Sequence, residues 1–503
     1  MAVARTFAAQ PAVLSGDIVT VEADLSRGLH SFSMVGLASR AVEEARDRVN
    51  AAIRNSGFPA PKSTNHKITV SLSPADLKKE GPRFDLPIAI AYLVAAGCIP
   101  PITSDTLLAG ELALDGTIRA VRGTLPCVRA GERAGFRSVI VPVANAAEAA
   151  LVPGITVFGA QTLGDVVRHL NPASTQHRLS PTPATIIKPN WQESVTVLED
   201  IRGQETAKRG LIVAAAGRHN ALMIGPPGTG KTMLARAFRG LLPPLTPEEA
   251  LDVTAIHSVA GLLDGTPLTA PPFRAPHHGA SHAALVGGGS TVRPGEITLA
   301  HRGVLFLDEL PEFDRRAIDA LRQPLEERTI SIARVAGAVR FPADFILLAA
   351  MNPSRARDVT AEASEVLDTR YREKLSGPIL DRVDLWLTVP HVPYSTLSGG
   401  GTAVRETDRA REAILAARAR QVRRLAGRSA HTNAEMTARD VEETITLSEA
   451  LRTLLASAAA TLFLSPRSYH RVLKVARTIA DLADREHIQE EHLLEALQYR
   501  TQG

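Results

Sequence analysis

The chain has 503 residues, which is more than one hydrophobic core usually organises, so its length predicts two or three domains. Its 45% hydrophobic and 22% charged residues are typical of a globular protein, and no apolar run reaches the roughly 20 residues that span a bilayer. The net charge of +4 permits a polyanionic partner without requiring one, and the polar start of the chain argues against a signal peptide, so we expect a cytoplasmic protein with no membrane partner.

Residues 1–170 alternate β-rich runs with helical patterns, which predicts a small α/β domain. The predicted strands are Ile18–Ala23, Lys67–Leu72 and Ser138–Pro142, and the predicted helices are Arg40–Asn55 and Ala146–Leu151. Two cysteines, Cys98 and Cys127, cannot form a disulfide framework or a four-thiolate zinc site.

Residues 171–194 are rich in Pro, Ser and Thr and predict a linker. A second α/β pattern follows over 195–393, with predicted strands at Ala221–Ile224, Gly303–Leu307 and Asp344–Ala350. Residues 394–503 predict a helical lid, because helical periodicity dominates after a break at Gly399–Gly401. Its predicted helices are Asp408–Leu425, Ala450–Leu462, Arg467–Ala483 and Glu490–Tyr499.

A glycine-rich loop follows the predicted strand Ala221–Ile224 and precedes a predicted helix from Met233 to Gly240. Its pattern, G-x-x-x-x-G-K-[ST], is typical of loops whose backbone amides enclose phosphate oxygens at a helix N-terminus. Lys231 is predicted to neutralise the β and γ phosphates of ATP, and the Thr232 hydroxyl to bind Mg²⁺. The loop residues are Gly225, Pro226, Pro227, Gly228, Thr229, Gly230, Lys231 and Thr232.

A second apolar strand, Val304–Leu307, ends in two acids. Asp308 is predicted to hold Mg²⁺ and Glu309 to polarise the attacking water. The alternative is that both acids only end a strand at the surface. The phosphate loop about eighty residues upstream favours the catalytic interpretation.

Three further polar residues are candidates for the same chemistry. Asn352 ends the apolar run from Ile346 and is predicted to orient water near the γ phosphate, although it is also a common residue of turns. Arg382 lies between Asp381 and Asp384, where it forms either a local ion pair or a cation supplied to another subunit. Arg467 begins a lid helix and is predicted to act in the same subunit.

Outside these motifs, the chain resembles the magnesium-chelatase-like AAA+ ATPases of the bacterial YifB or ComM type over nearly its whole length. The resemblance rests on several segments matched in register. They are Val35–Leu37, Arg54–Phe58, Ser73–Pro82, Phe84–Ile90, Phe273–His278, Arg293–Glu296 and Leu310–Phe313.

The resemblance implies that Asn352 is sensor 1, Arg382 the arginine finger and Arg467 sensor 2, in a ring that is usually a hexamer with ATP between subunits. It also implies an insertion at His277–Pro294 and a β-hairpin at Arg328–Phe341. Arg334 and Arg340 of that hairpin are then candidates for phosphate contacts in a central pore, unless the hairpin is only solvated.

ComM-type proteins are helicases that promote branch migration during natural transformation, so the resemblance implies DNA as the partner. The sequence itself offers no aromatic stacking platform. The arginine-dense helix from Arg405 to Arg428 also contains acids, which favours a solvated face over a contact with a DNA backbone.

Two departures from the family limit what is carried over. Relatives often have a cysteine cluster after the sensor asparagine, whereas this chain reads Asn352-Pro-Ser-Arg-Ala-Arg-Asp358, so no zinc is expected. The N-terminal domain resembles the Lon protease domain, whose chemistry needs a serine and a lysine. The corresponding stretch is Lys79–Arg83. No serine occurs from Gly81 to Thr103 and no lysine in Gly116–Pro142, so we expect a non-proteolytic domain.

Three other classes of function stay open. The chain could be a metal-insertion motor, although it lacks a cluster of metal ligands. It could be a protein-remodelling ATPase, because AAA+ rings also act on polypeptides. A non-catalytic nucleotide-binding scaffold is disfavoured, because Lys231, Asp308, Glu309 and Arg382 are all present.

Overall fold

The computed structural model describes residues 3–63, 65–174, 178–191, 196–289, 293–334, 337–352, 377–394 and 405–500. The chain forms two compact units: unit 1 is Met1–Lys188 with Pro247–Leu268, and unit 2 is Pro189–Thr246 with Thr269–Gly503. The boundary at Lys188 falls inside the predicted linker. Pro247–Leu268, by contrast, groups with unit 1, although the sequence analysis included it in the ATPase segment 195–393.

The secondary structure elements carry these labels throughout. The strands are β1 (Ala4–Pro11), β2 (Gly16–Arg27), β3 (Ser31–Val35), β4 (His66–Ser73), β5 (Thr106–Leu108), β6 (Glu111–Leu112), β7 (Ile118–Arg119), β8 (Ser138–Pro142), β9 (Thr156–Ala160), β10 (Ala221–Ile224), β11 (Phe273–Arg274), β12 (Gly287–Gly288), β13 (Arg293–Pro294), β14 (Val304–Leu307), β15 (Thr329–Arg334), β16 (Gly337–Pro342), β17 (Ile346–Met351) and β18 (Leu385–Thr388). The α-helices are α1 (Arg40–Glu43), α2 (Ala45–Asn55), α3 (Asp85–Ala95), α4 (Thr124–Arg133), α5 (Val143–Ala149), α6 (Leu163–Leu170), α7 (Glu205–Gly217), α8 (Lys231–Arg239), α9 (Pro247–Ala260), α10 (His282–Val286), α11 (Glu296–Leu299), α12 (Arg315–Asp319), α13 (Arg322–Glu327), α14 (Gly377–Leu380), α15 (Glu406–Arg424), α16 (Ala438–Thr444), α17 (Glu449–Thr461), α18 (Pro466–Leu482) and α19 (Glu490–Gln498).

Unit 1 is built, within its described residues, on a seven-stranded mixed sheet in the order β3-β4-β2-β1-β5-β8-β9. The β2 strand pairs antiparallel with β1 and β4, whereas β5, β8 and β9 run parallel. Helix α3 is apolar on all sides, and its residues Asp85–Leu93 are buried against the sheet. Helix α9 packs against α4, where Arg129 pairs with Asp252 at 2.8 Å.

Unit 2 contains, in its described part, a five-stranded sheet in the order β11-β14-β17-β10-β18, and all of its pairings are parallel. Strands β14 and β17 are apolar and buried throughout, as expected for a parallel sheet covered on both faces. Parallel strands place all their carboxyl ends along one edge and all their amino ends along the other. We call these the carboxyl edge and the amino edge.

The mixed α/β fold with a helical C-terminal region is confirmed. Strand β8 and strand β10 have the predicted bounds, and the predicted lid helices correspond to α15, α17, α18 and α19, shifted by one or two residues. The predicted helix Arg40–Asn55 is divided into α1 and α2. Within the described residues, no helix is both long enough and apolar enough to cross a membrane.

Candidate functional site

The glycine-rich loop lies at the carboxyl edge, between β10 and α8. A Cβ at Gly225 would lie 2.0 Å from the backbone oxygen of Val389, so only glycine fits where the loop leaves the sheet. Gly230 has a φ of 93°, which L-residues rarely adopt, and it precedes the first turn of α8. The loop therefore leads into the positive N-terminal end of α8, a position that favours phosphate binding.

Lys231 is buried and is held by neutral groups. Its Nζ donates to the backbone oxygens of Gly225 at 2.6 Å and Pro226 at 2.7 Å, and to Asn352 Oδ1 at 2.9 Å. Burial lowers the pKa of Lys231, and the charges of Asp308 and Glu309 partly offset this effect. The structure thus brings Lys231 and the predicted sensor Asn352 together, although 121 residues separate them.

Thr232 and Asp308 also meet at this edge, where the Thr232 hydroxyl donates to Asp308 Oδ2 at 2.9 Å. A hydroxyl and a carboxylate are oxygen donors of the kind that Mg²⁺ prefers. The residues therefore fit a nucleotide with its Mg²⁺: Thr232 and Asp308 would hold the cation, which supplies neutralisation of phosphate charge, and Lys231 would bind the phosphates.

Glu309 contacts a histidine that the sequence motifs do not predict to lie near it. Its Oε2 lies 3.3 Å from His278 Nδ1, and its φ of 53° is uncommon for a residue other than glycine. A backbone conformation of this kind persists when the surrounding structure maintains it. His278 belongs to the segment Phe273–His278 that carried the family resemblance, but no sequence spacing links it to Glu309.

A cavity of about 320 Å³ lies beside the loop. Gln204, which lines the cavity, connects it to the loop, because its Nε2 donates to the backbone oxygens of Thr229 at 3.3 Å and Pro390 at 2.6 Å. The volume of the cavity is within the range of small-molecule sites. None of its lining residues belongs to a site predicted from the sequence. They are Gly203, Gln204, Glu205, Thr206, Thr388, Pro390, His391, Val392 and Pro393.

The two candidate arginines do not lie at the carboxyl edge. Arg382 precedes β18, whose Leu385 pairs with Ala221 at the start of β10, so it lies at the amino edge. The four residues of β10 separate the two edges by roughly 13 Å. Arg467 Nη1 contacts Glu326 Oε1 at 3.2 Å, and Arg382 contacts the same oxygen. The expectation that Arg467 acts in its own subunit therefore has no support from this arrangement.

A buried ionic network occupies the rest of the amino edge. Asp344 accepts from Arg218 at 3.0 Å and from Arg302 at 2.6 Å, and Arg328 lies 3.9 Å away. Burial alone would raise the pKa of Asp344, but the three arginines outweigh it and lower the pKa to about 2. All three arginines have a positive φ, between 55° and 60°, so Asp344 stabilises three uncommon backbone conformations together.

The predicted hairpin is present as the antiparallel pair β15 and β16. Arg340 is exposed there and its Nε donates to Thr329 Oγ1 at 3.0 Å, whereas the side chain of Arg334 lies outside the described residues. The predicted insertion contains α10, β12 and β13. Pro353–Asp358 and Gly399–Gly401 also lie outside the described residues.

The prediction of a solvated face for the helix Arg405–Arg428 is wrong for several of its arginines. Arg418 donates to the backbone oxygen of Ala215, and Arg424 forms two bonds to the buried Asp481 at 2.8 Å and 2.7 Å. These guanidinium groups bind carbonyls and carboxylates within unit 2, which a pattern of charges along one helix cannot indicate.

Comparison with protein families gives three matches. Residues 197–397 match the family described as magnesium chelatase, subunit ChlI, residues 21–145 match subunit ChlI of Mg-chelatase, and residues 405–500 match the magnesium chelatase subunit ChlI C-terminal family. The first match contains both edges of the unit 2 sheet.

Individual proteins resemble the chain over most of its length. Competence protein ComM of Haemophilus influenzae is 45% identical over 493 residues, which cover 96% of this chain and 94% of that protein. The YifB protein of Escherichia coli is 43% identical over 488 residues, with the same coverage of 96% and 94%. The magnesium-chelatase 67 kDa subunit of Chlorobaculum parvum is 30% identical over 159 residues, which cover 31% of this chain and 23% of that protein.

Proposed function

The chain belongs to the ComM and YifB family of magnesium-chelatase-like AAA+ ATPases, and we propose that it is a cytoplasmic, ring-forming motor that couples ATP hydrolysis to the movement of DNA strands. The observation that carries the ATPase part is the convergence of Lys231, Asn352, Thr232 and Asp308 at the carboxyl edge.

Among the described residues, the carboxyl edge brings together groups that would bind phosphate and Mg²⁺ and would position the attacking water. Lys231 would exchange its contacts with two carbonyls and Asn352 for phosphate oxygens. Asn352, released from Lys231, would orient the attacking water, and Glu309 would accept a proton from it. The cavity next to Gln204 would hold the base of the nucleotide.

The position of two arginines supports assembly into a ring. Arg382 and Arg467 share Glu326 at the amino edge, roughly 13 Å from the carboxyl edge, so they would serve the nucleotide of an adjacent subunit. Such a head-to-tail contact is heterologous and closes into a ring when the rotation between subunits permits. We propose six subunits, the number that the family resemblance implies.

The DNA part of the proposal depends on the resemblance to ComM-type helicases and on the hairpin. Exposed Arg340 lies on β16 and would contact DNA phosphates, which carry no sequence information. Contacts of this kind weaken as salt rises, because binding releases counterions from the DNA.

The test is steady-state ATP hydrolysis by the purified protein, alone and with single-stranded or forked DNA, at low and moderate salt. We expect hydrolysis that DNA stimulates, with less stimulation at higher salt. Lys231→Ala should abolish this activity, which excludes a contaminating ATPase.

Each other outcome points to a different conclusion. Absence of ATP hydrolysis by the wild-type protein would refute the motor. ATP hydrolysis that no DNA binds or stimulates would refute the DNA part and favour a motor that acts on proteins. Stimulation that is independent of salt would refute the role of phosphate contacts.

A further inference from the structure

Glu326 connects the two arginines of the amino edge. A single carboxylate oxygen, Oε1, contacts Arg382 Nη2 and also lies 3.2 Å from Arg467 Nη1. The side chain of Arg382 is 8% exposed, whereas those of Arg467 and Glu326 are 65% and 48% exposed. Arg382 is therefore held within the fold. Arg467 is exposed to solvent and is linked to Arg382 through Glu326.

The two arginines come from separate parts of unit 2. Arg382 precedes strand β18 of the sheet, whereas Arg467 lies in the first turn of the lid helix α18, after the N-cap Ser465. A cation in a first turn is disfavoured by the helix dipole, and two guanidinium groups repel each other. A shared carboxylate offsets both effects, since it places one negative charge between the two positive ones.

Glu326 is itself held firmly. It lies in α13, and Arg328 directly after this helix pairs with Glu435 at 3.2 Å in the buried network around Asp344. Gln323, one turn earlier, accepts from the backbone amide of Ser331 in β15 at 3.4 Å. The short helix that bears this carboxylate is thus anchored at both ends, which makes it a support suited to positioning other groups.

We propose that Glu326 is a positioning residue that holds Arg382 and Arg467 together as one cationic unit for the triphosphate bound by the adjacent subunit. This inference rests on the proposed function, because it requires ATP hydrolysis between subunits. The carboxylate would not touch the nucleotide; it would fix the separation of the two guanidinium groups, which are suited to bind phosphate oxygens.

The first experiment compares Glu326→Gln with Glu327→Gln in the full-length protein. Glu327 is the adjacent residue of α13 and accepts from Gln323 at 3.0 Å, so the control removes a carboxylate from the same helix. We expect Glu326→Gln to lower kcat by roughly 10- to 100-fold, since small displacements of catalytic groups have effects of this size. The KM for ATP should change less than twofold, and Glu327→Gln should stay within twofold of wild type.

The second experiment mixes Glu326→Gln subunits with Lys231→Ala subunits. A Lys231→Ala subunit cannot use its own nucleotide site but retains an intact Glu326 with both arginines. In mixed rings it should complete the site of a Glu326→Gln neighbour, so the mixture should hydrolyse ATP faster than the sum of the two variants alone. A rescue of this kind also shows that Glu326→Gln is folded.

The outcomes separate this inference from the function on which it rests. Wild-type protein without ATPase activity would refute the proposed function. An active wild type with equal kcat values for Glu326→Gln and Glu327→Gln would refute only the role of Glu326. A low kcat for Glu326→Gln with no rescue in the mixture would show that Glu326 acts within its own subunit and would overturn the proposal.

Discussion

At the carboxyl edge of the unit 2 sheet, Lys231 and Asp308 are held by carbonyls, an amide and a hydroxyl, whereas at the amino edge Asp344 is surrounded by arginines. Both edges belong to the same parallel sheet and both contain buried charge. They differ in the partners of that charge, which are neutral at the first edge and oppositely charged at the second.

The difference indicates which edge is suited to exchange its contacts. A hydrogen bond between an ammonium and a carbonyl is readily replaced when a phosphate offers a full negative charge. A buried ion pair is costly to break, because the remaining charge is left in a medium of low polarity. The carboxyl edge is therefore suited to bind a ligand, and the amino edge to keep its ion pairs in place.

The largest effect is expected at Arg382. Arg382→Ala should lower kcat by roughly 10³-fold or more, as is typical of arginines that stabilise a transferred phosphoryl group. ATP binding should be spared, because the arginine lies at the edge opposite the phosphate loop. Parallel measurements of kcat and of ATP affinity test this. Full turnover by Arg382→Ala rings would show that Arg382 does not contribute to catalysis. The proposed difference in function between the two edges would then be wrong.

Asp344→Asn should have the next largest effect, on stability. It leaves three positive-φ arginines around a neutral amide, and breaking a buried ion pair typically costs about 3–5 kcal/mol. Both tryptophans of the chain, Trp191 and Trp386, belong to unit 2, so urea unfolding followed by tryptophan fluorescence reports on this unit. Asp319→Asn removes an exposed ion pair with Arg322 and should cost under about 1 kcal/mol.

Asp344→Asn should also alter how the free energy of unfolding depends on pH. The pKa of Asp344 is about 2 in the folded state against 3.8 ordinarily, so folding favours the ionised carboxylate. Its contribution to stability is complete above about pH 4 to 5 and is lost as the pH falls toward 2. Wild type should therefore lose more of its free energy of unfolding between pH 5 and pH 3 than Asp344→Asn does. Equal losses would show that Asp344 is not the group responsible.

The carboxyl edge was largely predictable from the sequence. Its residues come from local patterns: the phosphate loop between β10 and α8, and the acids that end β14. Each motif follows a buried apolar strand, and parallel strands bring such ends together without further information. The contact between Lys231 and Asn352 follows from that rule, although the residues are 121 positions apart.

The amino edge was not predictable in the same way. Its ion pairs join Arg218, Asp344 and Glu435, which belong to three distant segments and lie in no shared motif. The contacts of Glu326 could not be predicted for the same reason. A glutamate on a short helix among other charges is usually solvated. Packing of the lid against the sheet decides these contacts, and no periodicity in the sequence encodes it.

The smallest effect is expected at Gln204, where the carboxyl edge can be tested apart from catalysis. Gln204→Asn shortens the side chain so that it cannot reach both Thr229 and Pro390, while asparagine tolerates the φ of 62° at this position. A hydrogen bond contributes about 0.5–1.5 kcal/mol, so affinity for nucleotide should fall roughly 2- to 10-fold with kcat little changed. The loss should be equal for ATP and ADP, because the cavity would hold the base, which both nucleotides share.

Glu205→Gln is the control. It alters an exposed residue of the same cavity and should keep wild-type affinity for nucleotide. A loss confined to ATP would place Gln204 at the terminal phosphate and remove the cavity as the site of the base.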